Sequence, residues 1–406
     1  MSMGEVLAGL LILSGLLALP FAGYLGLLTL FSQRQPRRQA SRVYRFALVV
    51  PAHNEAGHIG ATLTNLAKLD YPAAQVQILV VADNCSDNTA VEVEACGVRV
   101  LRRQDEVRRG KGYALDHAFN VILKEAWAEA VVVIDADTVV APALLAAFAM
   151  QLEAGARAVQ GDYTVRNPEA SWRTRLMLVA LSMFHRLRSL ARERLGVSVG
   201  LRGNGMCFLV ETLQQVPHRA AGLVEDVEYG IALGHAGIRV AYADAATVYG
   251  EMVAGGRDSE SQRQRWEGGR AQLLRQELPD LLRAAWRGKS GLLLDLAFDL
   301  MVPPLSYVAL ILLAGSSSAC LLVWLQGLTP SLLAALVLWG AQLLCLLAYV
   351  LRGAALSDQG LRAYAVLAWA PLYVAWKILL AVRGRMRRGS TAWVRTAREP
   401  ERKKDL

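Results

Sequence analysis

Two carboxylates, Asp135 and Asp137, stand one residue apart in "VVVIDADTVV", at the end of an apolar, β-branched run. Such a run reads as a strand buried on both faces. Acids just past its end can simply make a turn. The same spacing also offers a compact hard-oxygen site for Mg2+ or Mn2+, which such sites hold through one or two carboxylates plus substrate phosphates. Other reactive types recur where apolar runs stop: Glu55 in "PAHNE" and Asp83 in "VVADNCSDNT". In "RRGKGYAL", Lys111 is flanked by Gly110 and Gly112 and can approach and neutralise a diphosphate. Asp87 reads mostly as the cap of the next helix. Glu225 and Asp226 in "VEDVEYG" open a predicted helix, where acids favour the positive amino-terminal end whether or not they do chemistry.

The elements that must position these groups begin at residue 44. "FALVVP", "VQILVVAD", "VRVL" and "AVVVID" alternate with helical stretches such as "EAGHIGATLTNLAKL" and "GKGYALDHAFNVILKEAW". That alternation predicts an α/β domain with a mostly parallel sheet and helices on both faces. Ligands of such sheets bind outside the carboxyl ends of the strands, where Glu55, Asp83, Asp135 and Asp137 fall.

Seven segments, "VVPAHNEAGHI", "VVADNCSDNTA", "GKGYAL", "VIDADT", "GNGMCFLV", "VEDVEYG" and "QRQRW", occur in the order and at about the spacings of membrane-integrated family 2 glycosyltransferases. That group includes cellulose, chitin and hyaluronan synthases and ceramide glucosyltransferases. The resemblance runs from about residue 46 to 270. It implies a GT-A (Rossmann-like) domain that uses a nucleotide diphosphosugar and inverts the anomeric centre. On that resemblance Asp83 reads the nucleobase edge, Glu55 contacts the nucleoside, and Lys111, Gln262 and Arg265 face the diphosphate. Asp137 holds Mg2+ or Mn2+ with Asp135 beside it on the nucleotide, and Asp226 is the general base, with Glu225 next to it. Trp266 becomes a stacking platform for the acceptor sugar.

Gly203 and Gly205 flank Asn204 in "LRGNGMCFLV"; they permit close approach of a substrate or simply make a tight turn, and all three are placed near the acceptor. Gln262, Arg265 and Trp266 share one helix face. Trp266, Leu274, Leu278, Leu281 and Ala285 continue as an apolar stripe opposed by Arg270, Arg275, Glu277 and Arg283, the pattern of a helix lying in a membrane interface. The six histidines show no ligand spacing, and the five cysteines give neither a disulfide framework nor a zinc site.

The chain has 406 residues, 54% apolar and 19% charged, too apolar for an ordinary soluble enzyme. Residues 5 to 31 carry no basic residue and suffice to cross a hydrocarbon core of roughly 20 residues. Arg34, Arg37, Arg38, Arg42 and Arg45 follow, so positive-inside puts the amino terminus out and the middle domain in the cytoplasm. The expected organisation is an amino-terminal span (1–33), a cytoplasmic catalytic domain (44–256), interfacial helices with "QRQRW" (257–301), two spans (302–351), and an interfacial or re-entrant helix with a basic cytoplasmic tail (352–406). Parity keeps residues 361–383 from spanning, because a fourth crossing would put the basic tail outside. The net charge of +9 gathers beside the apolar spans and in that tail, which suits anionic lipid better than nucleic acid.

The expected protein is an inner-membrane enzyme that moves sugar from a UDP-sugar to a lipid-linked or membrane-held glycan acceptor. A processive polysaccharide synthase coupled to export or assembly proteins is the alternative, though about three spans are few to enclose a polymer channel. A non-catalytic nucleotide-sugar-binding scaffold is remote, since Asp83, Asp135, Asp137, Asp226 and Trp266 are all present.

Overall fold

The computed structural model describes residues 3–34, 40–219, 222, 224–252 and 256–376, with the side chains of 256–267 outside the description. Helix α1 (Met3–Phe31) leads into strand β1 (Phe46–Ala52), helix α2 (Ile59–Leu66), β2 (Val76–Asp83), α3 (Thr89–Ala95), β3 (Arg99–Arg103), α4 (Lys111–Glu125), β4 (Ala130–Val133) and β5 (Val139–Val140). There follow α5 (Leu144–Glu153), β6 (Ala158–Val165), α6 (Trp172–Leu181), a π-helical turn (Ser182–Leu187), α7 (Arg188–Arg194), β7 (Met206–Leu209), α8 (Val210–Gln215), α9 (Glu225–His235) and β8 (Val240–Gly250). The chain then runs through α10 (Gly256–Gly288), α11 (Gly291–Met301), α12 (Leu305–Gln326), α13 (Pro330–Leu356) and α14 (Leu361–Val366).

Eight strands form one sheet in the order β3-β2-β1-β4-β7-β6-β8-β5. β1 pairs in parallel with both β2 and β4, as the buried β-branched runs predict. Alternate residues of these strands fill opposite layers: Val49, Val131 and Val133 pack on the α4 and α9 side, and Leu48, Val50 and Val132 on the α2 and α5 side. The sheet is mostly parallel as expected, β6 and β8 included, but β7 lies antiparallel between β4 and β6, and the short β5 antiparallel to β8. The reason is local. The chain enters β7 from the loop at the carboxyl end of β4, where the Gly205 N–H donates to the Val133 carbonyl at 3.0 Å, so β7 must run backwards.

Helices α1, α12 and α13 are long and apolar enough to cross a membrane. They pack on one another closely. Trp339 Nε1 donates to the Leu11 carbonyl at 3.0 Å, and Gln342 Nε2 to that of Gly15 at 3.1 Å. A Cβ on Gly15 would stand 2.6 Å from Leu338 Cδ2, so glycine permits the approach. Ala22, Leu25, Leu28 and Trp339 belong to the same apolar cluster as β1 and β4, which makes these helices and the sheet domain share a core.

Two expectations for residues 257–301 change. The stripe of Leu281 and Ala285, with Leu274 and Leu278, is covered by Leu293, Leu296 and Leu300 of α11 and by Ile231 of α9. Protein therefore supplies the partner expected of lipid, while Trp286 remains 87% exposed. Arg270, expected on the polar face, is half-buried and donates to the Asp299 carbonyl at 2.5 Å. Asp295 and Asp299 turn inward to buried arginines: Arg192 bonds Asp295 at 2.5 Å and Asp299 at 2.8 Å, and Arg188 bonds Asp299. Those ion pairs are why an otherwise apolar helix carries two acids. Of residues 361–383, 361–376 are helical and lean on the sheet domain, with Trp369 stacked on Trp172 at 5.3 Å and Arg173 over Trp376 at 5.4 Å. Residues 377–406 lie outside the description.

Candidate active site

The carboxyl ends of β1 and β2 are tied together before any ligand arrives. Asn54 and Asn84 follow those strands with φ of 56° and 50°, left-handed turns that asparagine tolerates. Asn54 Oδ1 accepts from the Ser86 N–H at 2.8 Å, and the Glu55 N–H donates to Thr89 Oγ1 at 2.7 Å. Asp87 accepts from the N–H groups of Thr89 and Ala56, so it steadies the start of α3 from one residue outside the cap position. Asp83 is buried, and its Oδ1 accepts from Arg103 Nη1 at 2.6 Å. Asn84 Oδ1 accepts from the Asp105 N–H at 2.8 Å. Arg103 and Asp105 had no distinguishing spacing; the parallel register that sets Asp83 opposite Arg103 is the signal that would have found the pair.

Asp135 and Asp137 flank the buried Ala136, and both are partly exposed. Lys111 opens α4 behind Gly110, which takes φ of 124°. Its Nζ donates to Asp135 Oδ1 at 2.5 Å and to the Gly203 carbonyl at 2.5 Å. Gly203 has φ of 77°, and a Cβ there would stand 3.5 Å from Asp226 Oδ2. One cation thus joins the β4 end, the Gly203 loop and the start of α9. Burial works to lower the Lys111 pKa, but Asp135, Glu225 and Asp226 outweigh it and hold the amine above its ordinary value. Burial raises both acids of α9: Glu225 to about 7, with Asp226 adding to the rise and Lys111 opposing it, and Asp226 against its own backbone N–H bonds, Lys111 and Arg202.

Asn204, expected near the acceptor, has its amide turned to the acid loop. It is 3% exposed; its Oδ1 accepts from the Asp135 N–H at 3.1 Å and its Nδ2 donates to Thr138 Oγ1 at 2.8 Å. Both ends of the amide are committed to the acid loop, so its place is behind the acids. Gly205 (φ 66°) is likewise structural, because a Cβ there would stand 2.6 Å from Val248 Cγ2. Gln262, Arg265 and Trp266 lie on α10, but their side chains fall outside the described residues. Tyr163, Phe184, His185 and Arg202 form an adjoining wall that the sequence did not single out. Tyr163 meets His185 edge-on at 5.4 Å, Arg202 lies 4.7 Å over the Phe184 ring, and burial followed by Asp135 and Asp137 raises the Tyr163 pKa.

The donor set suits a hard divalent ion. Two carboxylates are available, one already bonded to Lys111, and among the described residues no cluster of three His, Cys, Asp or Glu forms. Mg2+ or Mn2+ accepts that sparse protein ligation when phosphates complete its shell.

A mixed sheet with paired acids at the carboxyl end of β4 and further acids at the start of α9 defines a GT-A domain. The chain belongs to the family described as glycosyltransferase like family 2, which matches residues 44–269. Among curated proteins it is 25% identical over 246 residues to the probable glycosyltransferase YdaM of Bacillus subtilis, covering 57% of each chain. It is 30% identical over 165 residues to a beta-monoglucosyldiacylglycerol synthase of Trichormus variabilis, covering 39% of this chain and 34% of that one. The chain therefore spans about half or less of the length of these relatives. In fold it resembles the mannosyltransferase PcManGT of Pyrobaculum calidifontis, solved with GDP-Man and Mn2+, with a TM-score of 0.55 and 19% identity over 88% of this chain and 99% of that one.

Proposed function

We propose that the protein is a membrane-integrated, inverting glycosyltransferase that moves a sugar from a nucleotide diphosphosugar, a UDP-sugar in our reading, to a lipid-linked or membrane-held glycan acceptor. The observation that supports this best is the gathering of Asp135, Gly203 and Asp226 around Lys111 at the carboxyl end of β4. The acceptor hydroxyl oxygen bonds to the anomeric carbon from one face as the bond to the diphosphate breaks on the other, and the electron pair leaves with the nucleoside diphosphate. Asp226 takes the hydroxyl proton, a contribution of about 10²- to 10⁴-fold. Lys111 faces the departing diphosphate, and Asp83 and Glu55 sit at the strand ends on the nucleoside side. Asp137 and Asp135 would hold Mg2+ or Mn2+, which supplies Lewis-acid neutralisation when bound. The divalent ion reported with PcManGT and the glycolipid named for the Trichormus relative agree with this reading.

In this reading α1, α12 and α13 span the cytoplasmic membrane, the sheet domain faces the cytoplasm, and residues 361–383 stay at the interface. The close packing of the three apolar helices favours limited transfer over a polymer channel. The test is to incubate the purified protein in lipid with a panel of radiolabelled nucleotide sugars, with and without lipid extract, and to size the products. A short labelled glycolipid is expected; a long polymer would establish the synthase alternative, and no turnover of any donor would refute the enzyme reading.

A further inference from the structure

The π-helical turn between α6 and α7 grips β6 with consecutive side chains. Arg186 donates through Nε to Asp162 Oδ2 at 3.0 Å and through Nη2 to the same oxygen, and His185 meets Tyr163, the next residue of the strand, edge-on at 5.4 Å. Asp162 is 1% exposed, and its other oxygen accepts from the Tyr242 hydroxyl at 2.7 Å. A carboxylate buried that deeply needs the guanidinium as its counter-charge. It stands where the pairing of β6 with β8 shifts register, and just past the shift comes Tyr163, whose hydroxyl is acted on by the charges of Asp135 and Asp137.

The same turn is fastened to the end of α13. Ser182 Oγ donates to the Gly353 carbonyl at 2.8 Å, Tyr349 Oη donates to the Met183 carbonyl at 2.7 Å, and a Cβ on Gly353 would collide with Met183. Arg186 Nη1 extends the contact, donating to the Leu356 carbonyl at 2.6 Å and to Asp358 Oδ2 at 2.7 Å. Asp358, in the turn after α13 with φ of 60°, also accepts at 2.7 Å from Nη2 of Arg34, three residues past the end of α1. One guanidinium therefore links a buried acid of the sheet to the ends of two apolar helices, through a π-helical turn of the kind that occurs mostly at functional sites.

We propose that Arg186 and Asp358 are positioning residues for transfer: they hold the Tyr163–His185 pair, and with it the site, at a fixed height over the ends of α1 and α13, so that an acceptor held in the membrane meets the acids in register. Neither residue touches a substrate. The acid loop is fixed separately, by Asn204 and Lys111, so the chemistry of the donor does not depend on the clasp. Water reaches the anomeric carbon whatever the height of the site. A hydroxyl anchored in the membrane does not, and a misplacement of about 1 Å caused far from the chemistry can cost about 10²-fold.

This rests on the glycosyltransferase reading with a membrane-held acceptor, and the test separates them. Full-length wild type, Asp358→Gly, Asp358→Asn and Arg186→Lys in nanodiscs made with lipid extract would be given whichever radiolabelled nucleotide sugar wild type turns over. Label entering lipid and label released as free sugar would be counted, with melting temperatures alongside. Glycine takes φ of 60° without strain, so Asp358→Gly removes the carboxylate alone. It should lower transfer into lipid by about tenfold or more, through kcat with the donor KM unchanged, and leave hydrolysis and the melting temperature near wild type. Asp358→Asn keeps an acceptor oxygen without the charge and should fall between. Arg186→Lys keeps a charge at Asp162 but loses the fork that reaches Asp358, and its loss should match that of Asp358→Gly; if it does not fold, the two Asp358 variants decide. Transfer equal to wild type in Asp358→Gly, or hydrolysis falling by the same factor as transfer, would overturn the proposal. No turnover of any donor by wild type would instead refute the glycosyltransferase reading, and hydrolysis by wild type with no label in lipid would refute the membrane-held acceptor and this proposal with it.

Discussion

Lys111 Nζ lies 2.5 Å from Asp135 Oδ1, and the same amine reaches the carbonyl of Gly203, just ahead of β7 and beside Asp226. A single ammonium thus neutralises Asp135 and offsets the two acids of α9. Replacing it with methionine keeps the length of the chain and removes the charge, leaving Asp135, Glu225 and Asp226 to repel one another. Lys111→Met should lower donor turnover by about 10²-fold or more, the scale of losing one preorganised charge at a reacting centre. Turnover within about twofold of wild type would show that the amine is only an anchor.

The pH dependence follows from the same three acids. Burial and Asp226 raise Glu225 to about 7 in the folded protein, while Lys111 and the backbone work against the rise. A carboxyl whose folded pKa exceeds its unfolded value binds more protons when folded, so its contribution favours folding at low pH and is lost as pH climbs from about 4.5 to about 7. Activity runs the opposite way, because the base must be ionised. The rate of transfer should rise with pH to a plateau, with an apparent pKa near 7 that belongs to the Glu225–Asp226 pair. Glu225→Gln removes one negative neighbour and should move that limb to lower pH. A limb that stays in place in Glu225→Gln would mean that another group sets it.

The parallel half of the sheet was legible because "FALVV" and "AVVVI" are continuous β-branched runs that can be buried only between two helical layers. The antiparallel β7 was not, since four residues, Met206–Leu209, have no periodicity that reports direction. The acids at the strand ends could be read for the same reason as the strands, their position after an apolar run. Arg103, Arg202 and His185 could not. Arg103 meets Asp83, Arg202 lies over Phe184 and His185 meets Tyr163, each on another element, and a lone arginine or histidine in the sequence does not report such a neighbour. Asp295 and Asp299 gave a real signal, acids in an apolar helix, but their partners Arg188 and Arg192 lie about a hundred residues away.

Metal dependence can be tested without knowing the acceptor. On the proposed reading Asp135 and Asp137 hold the ion; two carboxylates are too few to do so without the donor's phosphates, so binding of metal and of UDP should be linked. UDP affinity should fall by about tenfold or more in excess EDTA and return with Mn2+ or Mg2+. Asp137→Ala should abolish the metal effect while preserving the far-ultraviolet dichroism spectrum. Equal UDP affinity with and without chelator would remove the ion from the donor site.

Asn204 separates a supporting role from a substrate-contacting one. Its amide accepts from the Asp135 N–H and donates to Thr138 Oγ1, which is itself fully buried. Asn204→Ala leaves those two groups unsatisfied, a cost of about 1–3 kcal/mol for each such buried group. The loop between β4 and β5 should then relax, and Asp135 and Asp137 should lose their alignment with the donor. The consequence is a fall in every reaction of the donor, including the slow hydrolysis that water gives in the absence of any acceptor. An acceptor contact would behave differently: donor hydrolysis would be untouched and only the KM for the acceptor would rise. Asn204→Ala should reduce acceptor-free hydrolysis and transfer by the same factor, about tenfold or more, with the melting temperature lowered by a few degrees. A normal hydrolysis rate joined to a raised acceptor KM would return Asn204 to the acceptor side of the site.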